Sequence, residues 1–162
     1  MKLYEEKTLV IIKPDALQRN ILGKIIGRFE QKGLKIVGLK MMQLSDILLE
    51  EHYIHHKDKP FFEGLKKYMK QSPVTVMVLE GIEAVKVVRM VCGATSGRNA
   101  DMGTIRGDFS VSSQMNIIHA SDSIENAEKE IWRFFNADEL FDYKKLDFEA
   151  VYGEEERVFL DK

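Results

Sequence analysis

The residue best placed for chemistry in this chain is a histidine at the meeting of two stretches of opposite character. His119 follows the apolar pair Ile117-Ile118 and precedes Ala120, Ser121 and Asp122, with Asn116 just upstream. It stands where a short buried strand gives way to a helix start. The bland reading of such a histidine is a packed rim residue. Glu130 argues for more, because it falls two turns into the next helical pattern, at the edge of its apolar face. From there a carboxylate reaches the imidazole, fixes its tautomer and leaves the other ring nitrogen's lone pair as a nucleophile. Three cations, Lys13, Arg89 and Arg106, each fall at the terminus of a predicted element. Singly each reads as a surface charge. Together they suit phosphates, since a phosphoryl-transfer transition state spreads negative charge over oxygens that arginine meets bidentately. Gly33 to Lys40 has the two-glycine spacing of a P-loop but lacks Gly-Lys-Ser/Thr, so phosphate is handled by another design.

The elements that must position these residues follow from hydrophobic periodicity. Thr8 to Lys13 reads as a buried strand that stops at Lys13-Pro14-Asp15. Ile21, Leu22, Ile25, Ile26 and Phe29 recur at helical spacing, and Gly33 supplies a stop. A second strand covers 34–42, and Ser45 or Asp46 caps a helix running toward His56. Pro60 opens a helical stretch to about Met69, Val74 to Leu79 is a strand, and Ile82 to Met90 is helical. The connection from Gly93 to Asp108 holds Gly93, Gly97, Gly103 and Gly107, four of the chain's eleven glycines, and reads as a structured functional loop. Met115 to His119 is a last short strand. Asp122 with Glu125 has capping-box spacing, and Ile124, Ala127, Ile131, Phe134 and Phe135 form the helix face behind it. The order predicts an α+β, ferredoxin-like sandwich, a four-stranded antiparallel sheet covered by helices on one face.

Composition bounds the alternatives. With 162 residues, 44% hydrophobic, the chain suits a single domain, with a charged extension from about 144. A net charge of -2 provides no basic field for nucleic acid as the main partner. One cysteine and no apolar segment long enough to span a bilayer point to a reducing, cytoplasmic setting without a membrane.

Asn116-Ile117-Ile118-His119-Ala120-Ser121-Asp122 resembles the Asn-x-x-His-x-Ser-Asp signature of the nucleoside diphosphate kinase family. Thr8 to Asp15, Lys57 to Phe62, Gly93 to Thr95, Gly103 to Phe109 and Ser123 to Glu130 resemble family segments in order and spacing, so the likeness runs from about residue 6 to 143. It implies a ferredoxin-like fold and a ping-pong transfer of the terminal phosphate from a nucleoside triphosphate to a nucleoside diphosphate. ATP, ADP, GTP and GDP are among the implied partners, with Mg²⁺ carried on the nucleotide phosphates and not by protein ligands. By matching position, His119 is the nucleophile. Glu130 and Tyr53 position the histidine or its phosphate, and Ser121 stands beside that carboxylate. Lys13, Arg89, Thr95 and Arg106 meet phosphates, with Lys13 and Asn116 also near the ribose, and Phe61 stacks on the base. Stacking is indifferent to base identity, so broad specificity is expected. A homo-oligomer, hexamer or tetramer, is implied as well.

The chain departs from the family pattern at Ala120, often glycine, at Gly97 and Met102, often proline, and at Ser113, often valine. His52, His55 and His56 sit at i, i+3 and i+4, a spacing that puts imidazoles on one helix face for zinc, although surface or structural roles are the plainer reading. Trp132 reads as core or a subunit contact. The competing function is a regulatory or interaction module that keeps the fold and binds nucleotide without turnover.

Overall fold

Leu9, Val10, Ile11 and Ile12 are all fully buried, which only a strand covered on both faces allows. In the computed structural model, which describes residues 5–157, they belong to β1 (Glu5–Ile12). β2 (Lys35–Met42), β3 (Val74–Ile82) and β4 (Ile118–Ala120) complete one sheet in the order β2-β3-β1-β4, every neighbouring pair antiparallel. This is the ferredoxin-like arrangement expected.

Helices cover both faces of that sheet, where one covered face was expected. Leu9, Ile11, Val74, Val76 and Val78 point to α3 (Asp46–His52), α4 (Phe62–Met69) and α7 (Ile124–Phe134). Val10, Ile12, Met77 and Leu79 point to α2 (Leu22–Gln31) and α5 (Ala84–Cys92). Alternate residues of each central strand therefore feed two separate cores.

Local chemistry sets the boundaries. Pro14 opens the short helix α1 (Pro14–Gln18), leaving Lys13 as its N-cap. α2 ends in a Schellman motif: Gly33 takes φ +91°, its N–H donates to Glu30 O, and Leu34 N–H donates to Phe29 O. α3 stops at His52, four residues short of the expected end, and a 3₁₀ turn Ile54–His56 follows. α7 is capped by Ser123, whose hydroxyl accepts from Asn126 N–H, and not by Asp122, which takes the Asn126 side chain instead. Trp132 lies outside the core, 57% exposed. After α7 the chain runs back along β2, with Phe141 N–H on Val37 O and the Tyr143 hydroxyl on Ile36 O. The extension forms short helices α8 (Phe148–Val151) and α9 (Glu154–Arg157); its residues 158–162 lie outside the described residues.

The glycine-rich connection contains a helix that its composition hid. Thr104 caps α6 (Ile105–Phe109), and Arg28 of α2 ties the loop down through Gly103 O and the Asp108 carboxylate. Thr104 N–H donates to Asp101 O and Gly103 takes φ +92°, so Met102 holds the second position of a turn with positive φ at the third. Proline is favoured there. Gly97 is different, because its N–H donates to Ser112 O and a Cβ would lie 2.3 Å from Ser110 O. Met102→Pro is therefore expected to stabilise the protein by about 0.4–1 kcal/mol and Gly97→Pro to destabilise it by more than about 1 kcal/mol. Urea melts of the two variants check this, and opposite signs are the expected outcome.

Candidate active site

β4 delivers His119 to the mouth of an open cleft of about 1140 Å³, and the register fixes it there, with Ile11 of β1 as its direct partner. Just before it, Ile117 takes φ +73°, and Ile118 N–H donates back to Asn116 O, closing a γ-turn at a β-branched residue. Such a backbone costs about 1–3 kcal/mol and persists only where surroundings over-determine it. Here they do: Ile117 N–H donates to Asp15 Oδ2 at 3.1 Å, and its carbonyl accepts from Lys13 N–H at 2.8 Å. The Tyr68 hydroxyl holds the other Asp15 oxygen at 2.5 Å. Neither Asp15 nor Tyr68 was singled out from sequence, and the only local signal was a carboxylate immediately after Lys13-Pro14.

His119 Nε2 lies 3.2 and 3.1 Å from the two Glu130 oxygens, and Ser121 Oγ donates to Glu130 Oε2 at 2.6 Å. Burial pushes the Glu130 carboxyl up, but the hydrogen bond and charge of His119, with the Ser121 bond, outweigh it and hold it below the usual range. An ionised carboxylate takes the Nε2 proton as a hydrogen bond and leaves Nδ1 unprotonated. Among the described residues Nδ1 has no hydrogen-bond partner.

The phosphate-binding candidates line the same cleft. Asn116 joins three of them: its Oδ1 accepts from Lys13 Nζ at 2.6 Å, its Nδ2 donates to Thr95 O, and its carbonyl accepts from Arg106 Nε. Arg106 also donates to Gly93 O at 2.8 Å and to Ile118 O at 2.6 Å, so its guanidinium braces the chain leading to His119. Arg89 comes from the last turn of α5 and is exposed on the cleft wall. Burial, followed by the charge of Arg106, pulls Lys13 down to about 8, with Asp15 opposing. Tyr53 is buried and, among the described residues, its hydroxyl has no partner; burial and the Glu130 charge raise it, so it stays a donor. Phe61 presents a half-exposed ring at the entrance, in a T-shaped contact with His56 whose ring centroid is 5.2 Å away. Ser113, facing the cleft, bonds Ser96 Oγ. Cys92 also lines the cleft, but it is buried, and burial pushes its thiol up to about 12, which disfavours the thiolate. Ser121 alone of the ten candidates sits behind the wall, fully buried.

The three helical histidines do not form one metal face, because the helix breaks at Tyr53. His55 and His56 pack on each other at 4.0 Å near the entrance, while His52 turns inward against His119. His52, His119 and Glu130 do bring three ligand atoms within 4.8 Å. Arg133 Nη1 already donates to His52 Nδ1, however, placing a cation where an ion would have to bind.

Residues 6–140 match the family described as nucleoside diphosphate kinase. The chain belongs to the nucleoside diphosphate kinase family. A nucleoside diphosphate kinase of Parabacteroides distasonis is 53% identical over 151 residues, covering 93% of this chain and 99% of that one. Nucleoside diphosphate kinase A of Homo sapiens is 54% identical over 147 residues, 91% and 97% of the two chains. The solved halophilic nucleoside diphosphate kinase of Halobacterium salinarum, in complex with CDP, is 44% identical with a TM-score of 0.90, covering 93% of this chain and all of that one. Nucleoside diphosphate kinases are phosphotransferases, so the cleft is that of an enzyme. Among the described residues no helix is long and apolar enough to cross a membrane.

Proposed function

We propose that the protein moves the terminal phosphate of a nucleoside triphosphate to a nucleoside diphosphate through phosphorylated His119, with broad base specificity. The observation that carries this reading is the pairing of His119 Nε2 with both Glu130 oxygens, in a cleft that also holds Lys13, Arg89 and Arg106. In the first half-reaction the Nδ1 lone pair forms the N–P bond, the γ-phosphorus to bridging-oxygen bond breaks, and the diphosphate leaves with its electron pair. In the second, an acceptor diphosphate attacks the same phosphorus and the lone pair returns to Nδ1. Glu130 stabilises the charge that His119 gains, Ser121 orients Glu130, and the Tyr53 hydroxyl donates to the phosphoryl group. Lys13, Thr95, Arg89 and Arg106 hold phosphates, Lys13 and Asn116 the ribose, and Phe61 the base by stacking.

The cleft's cationic donor set fits phosphate oxygens, so Mg²⁺ belongs to this reading as an ion arriving on the nucleotide, where it neutralises phosphate charge. The whole chain acts as one such domain with a charged extension from about 144, in a cytoplasmic setting and as a homo-oligomer, hexamer or tetramer. The exposed apolar Leu39 and Met41 on the edge strand β2 support assembly, and a solution mass decides its size.

The test is labelling without acceptor. Incubated with γ-labelled nucleoside triphosphate and Mg²⁺, the protein should take up about one label per chain in an acid-labile, base-stable bond, and any common nucleoside diphosphate should discharge it. Protein that binds nucleotide but never acquires label is a binding module instead.

Lys13 provides a pH signature. With its ammonium destabilised to about 8 in the free protein, arriving phosphates favour the charged form and raise it again. Above about 8 each binding event therefore takes up a proton, and affinity falls as pH rises; well below 8 Lys13 is already charged and no uptake arises from it. Calorimetry at pH 8.5 in buffers of different ionisation enthalpy measures the uptake, and Lys13→Met should remove it.

A further inference from the structure

Glu130 and Arg133 lie three residues apart on α7, a spacing at which a carboxylate and a guanidinium ordinarily pair. Here they do not. Arg133 Nε is drawn to Glu51 Oε1 at 2.9 Å and Arg133 Nη1 to His52 Nδ1 at 3.3 Å. The His52 ring stands between the two helix residues, its Nδ1 3.9 Å from Glu130 Oε1, and it is wedged edge-on against His119 at 4.6 Å and Phe134 at 5.1 Å. Glu51 and His52 are consecutive at the end of α3, so one helix terminus supplies both the charge that draws Arg133 away and the ring that blocks its return.

We propose that Glu51 and His52 are positioning residues that keep Arg133 off Glu130, so that the Glu130 carboxylate serves His119 alone. The inference rests on the reading of His119 as nucleophile and Glu130 as its partner. A bidentate arginine is a strong competitor for a carboxylate. Were Arg133 to capture Glu130, His119 Nε2 would lose its acceptor, the proton would no longer be confined to that nitrogen, and the fraction with a lone pair on Nδ1 would fall. Among the described residues Glu130 also bonds His119 on β4 and Ser121 just after it, and its charge is felt by the Tyr53 hydroxyl, none of which opposes this arrangement. His52 itself stays uncharged, since burial and the positive potential of His119 and Arg133 push it down to about 2 despite Glu130, so it does not capture the carboxylate as a cation. With Nδ1 accepting from Arg133, its proton sits on Nε2, which is buried and has no partner among the described residues. A ring that leaves a buried donor unpaired is held there for its shape and its one acceptor nitrogen.

The test is a double-mutant cycle on the single-turnover rate of His119 phosphorylation at saturating nucleotide. His52→Leu should lower that rate about tenfold to a hundredfold with KM for nucleotide nearly unchanged, as expected for misplacement of a catalytic group. In an Arg133→Gln background the same change should cost less than about threefold, because the competitor is gone. His52→Asn, which keeps an acceptor near the Nδ1 position, should stay within about threefold of wild type. Nitrogen-15 spectra should show His119 as one tautomer, protonated on Nε2, in the wild type and as a mixture in His52→Leu. Should His52→Leu not fold, Glu51→Gln alters an exposed residue and should slow phosphorylation about threefold to tenfold, again suppressed by Arg133→Gln. Equal losses in both Arg133 backgrounds, or an unchanged tautomer, overturn the inference. Wild-type protein that carries no label on His119 overturns instead the reading beneath it.

Discussion

Replacing His119 by alanine is expected to abolish both the uptake of phosphate from a nucleoside triphosphate and its delivery to a diphosphate, a loss of roughly 10⁴-fold or more in turnover. Nucleotide affinity should hardly change. The phosphate contacts proposed for Lys13, Arg89, Thr95 and Arg106, and the Phe61 ring, all lie on other elements and do not depend on the imidazole for their positions. The fold should survive as well, since the His119 side chain is 22% exposed and, among the described residues, bonds only Glu130. Titration of a fluorescent nucleotide, a thermal melt and the labelling assay on one preparation separate the three quantities. Label retained in His119→Ala would keep phosphotransfer and relocate the nucleophile.

Arg106→Ala should show a mixed defect, and the structure dictates the mixture. If its guanidinium meets charge developing on the transferred phosphoryl group, turnover falls about 10²- to 10³-fold while KM moves much less, the mark of a donor used mainly in the transition state. Arg106 also supplies the donors to Gly93 O, Asn116 O and Ile118 O. Truncation strands buried carbonyls at about 1–3 kcal/mol for each one left dry, so the melting temperature falls too. Arg106→Lys separates the roles, because it restores a charge without the planar fork that reaches three carbonyls. Steady-state kinetics and urea melts on both variants are the measurements, and a defect confined to KM would remove Arg106 from the transition state.

What could be read from sequence was whatever a local pattern carries. Leu9 to Ile12 is an unbroken apolar run, Val74 to Leu79 is interrupted only by Thr75, and both became the central strands; their lack of alternation suits two covered faces, although one was expected. Gly33 marked a helix end because only a residue tolerant of positive φ closes that motif. His119 and Glu130 share a strand-turn-helix unit, so their pairing was within reach. Other features needed tertiary partners. α6 hid among glycines, and Asp122 and Ser123 are equally good caps until the backbone chooses. The imagined metal face of His52, His55 and His56 assumed a helix that continues past Tyr53, and the tighter turn there sends His52 one way and its neighbours another. Nothing near Asp15 in sequence announced that it would hold Ile117, 102 positions away.

The γ-turn at Ile117 has a bearing on how the molecule comes to be active at all. The Ile117 N–H and carbonyl, which set the turn that aims His119, are both held by groups near the start of the chain, at Asp15 and Lys13, and Asp15 is itself held by Tyr68. Contacts of such sequence separation form late, after the entropy of closing a long loop has been overcome. A chain that has made its helices and central strands but has not yet docked its last strand would relax Ile117 to an ordinary negative φ and turn the imidazole aside. Competence is therefore expected to require that the two distant segments have locked together, so partly unfolded forms should be chemically silent toward nucleotides.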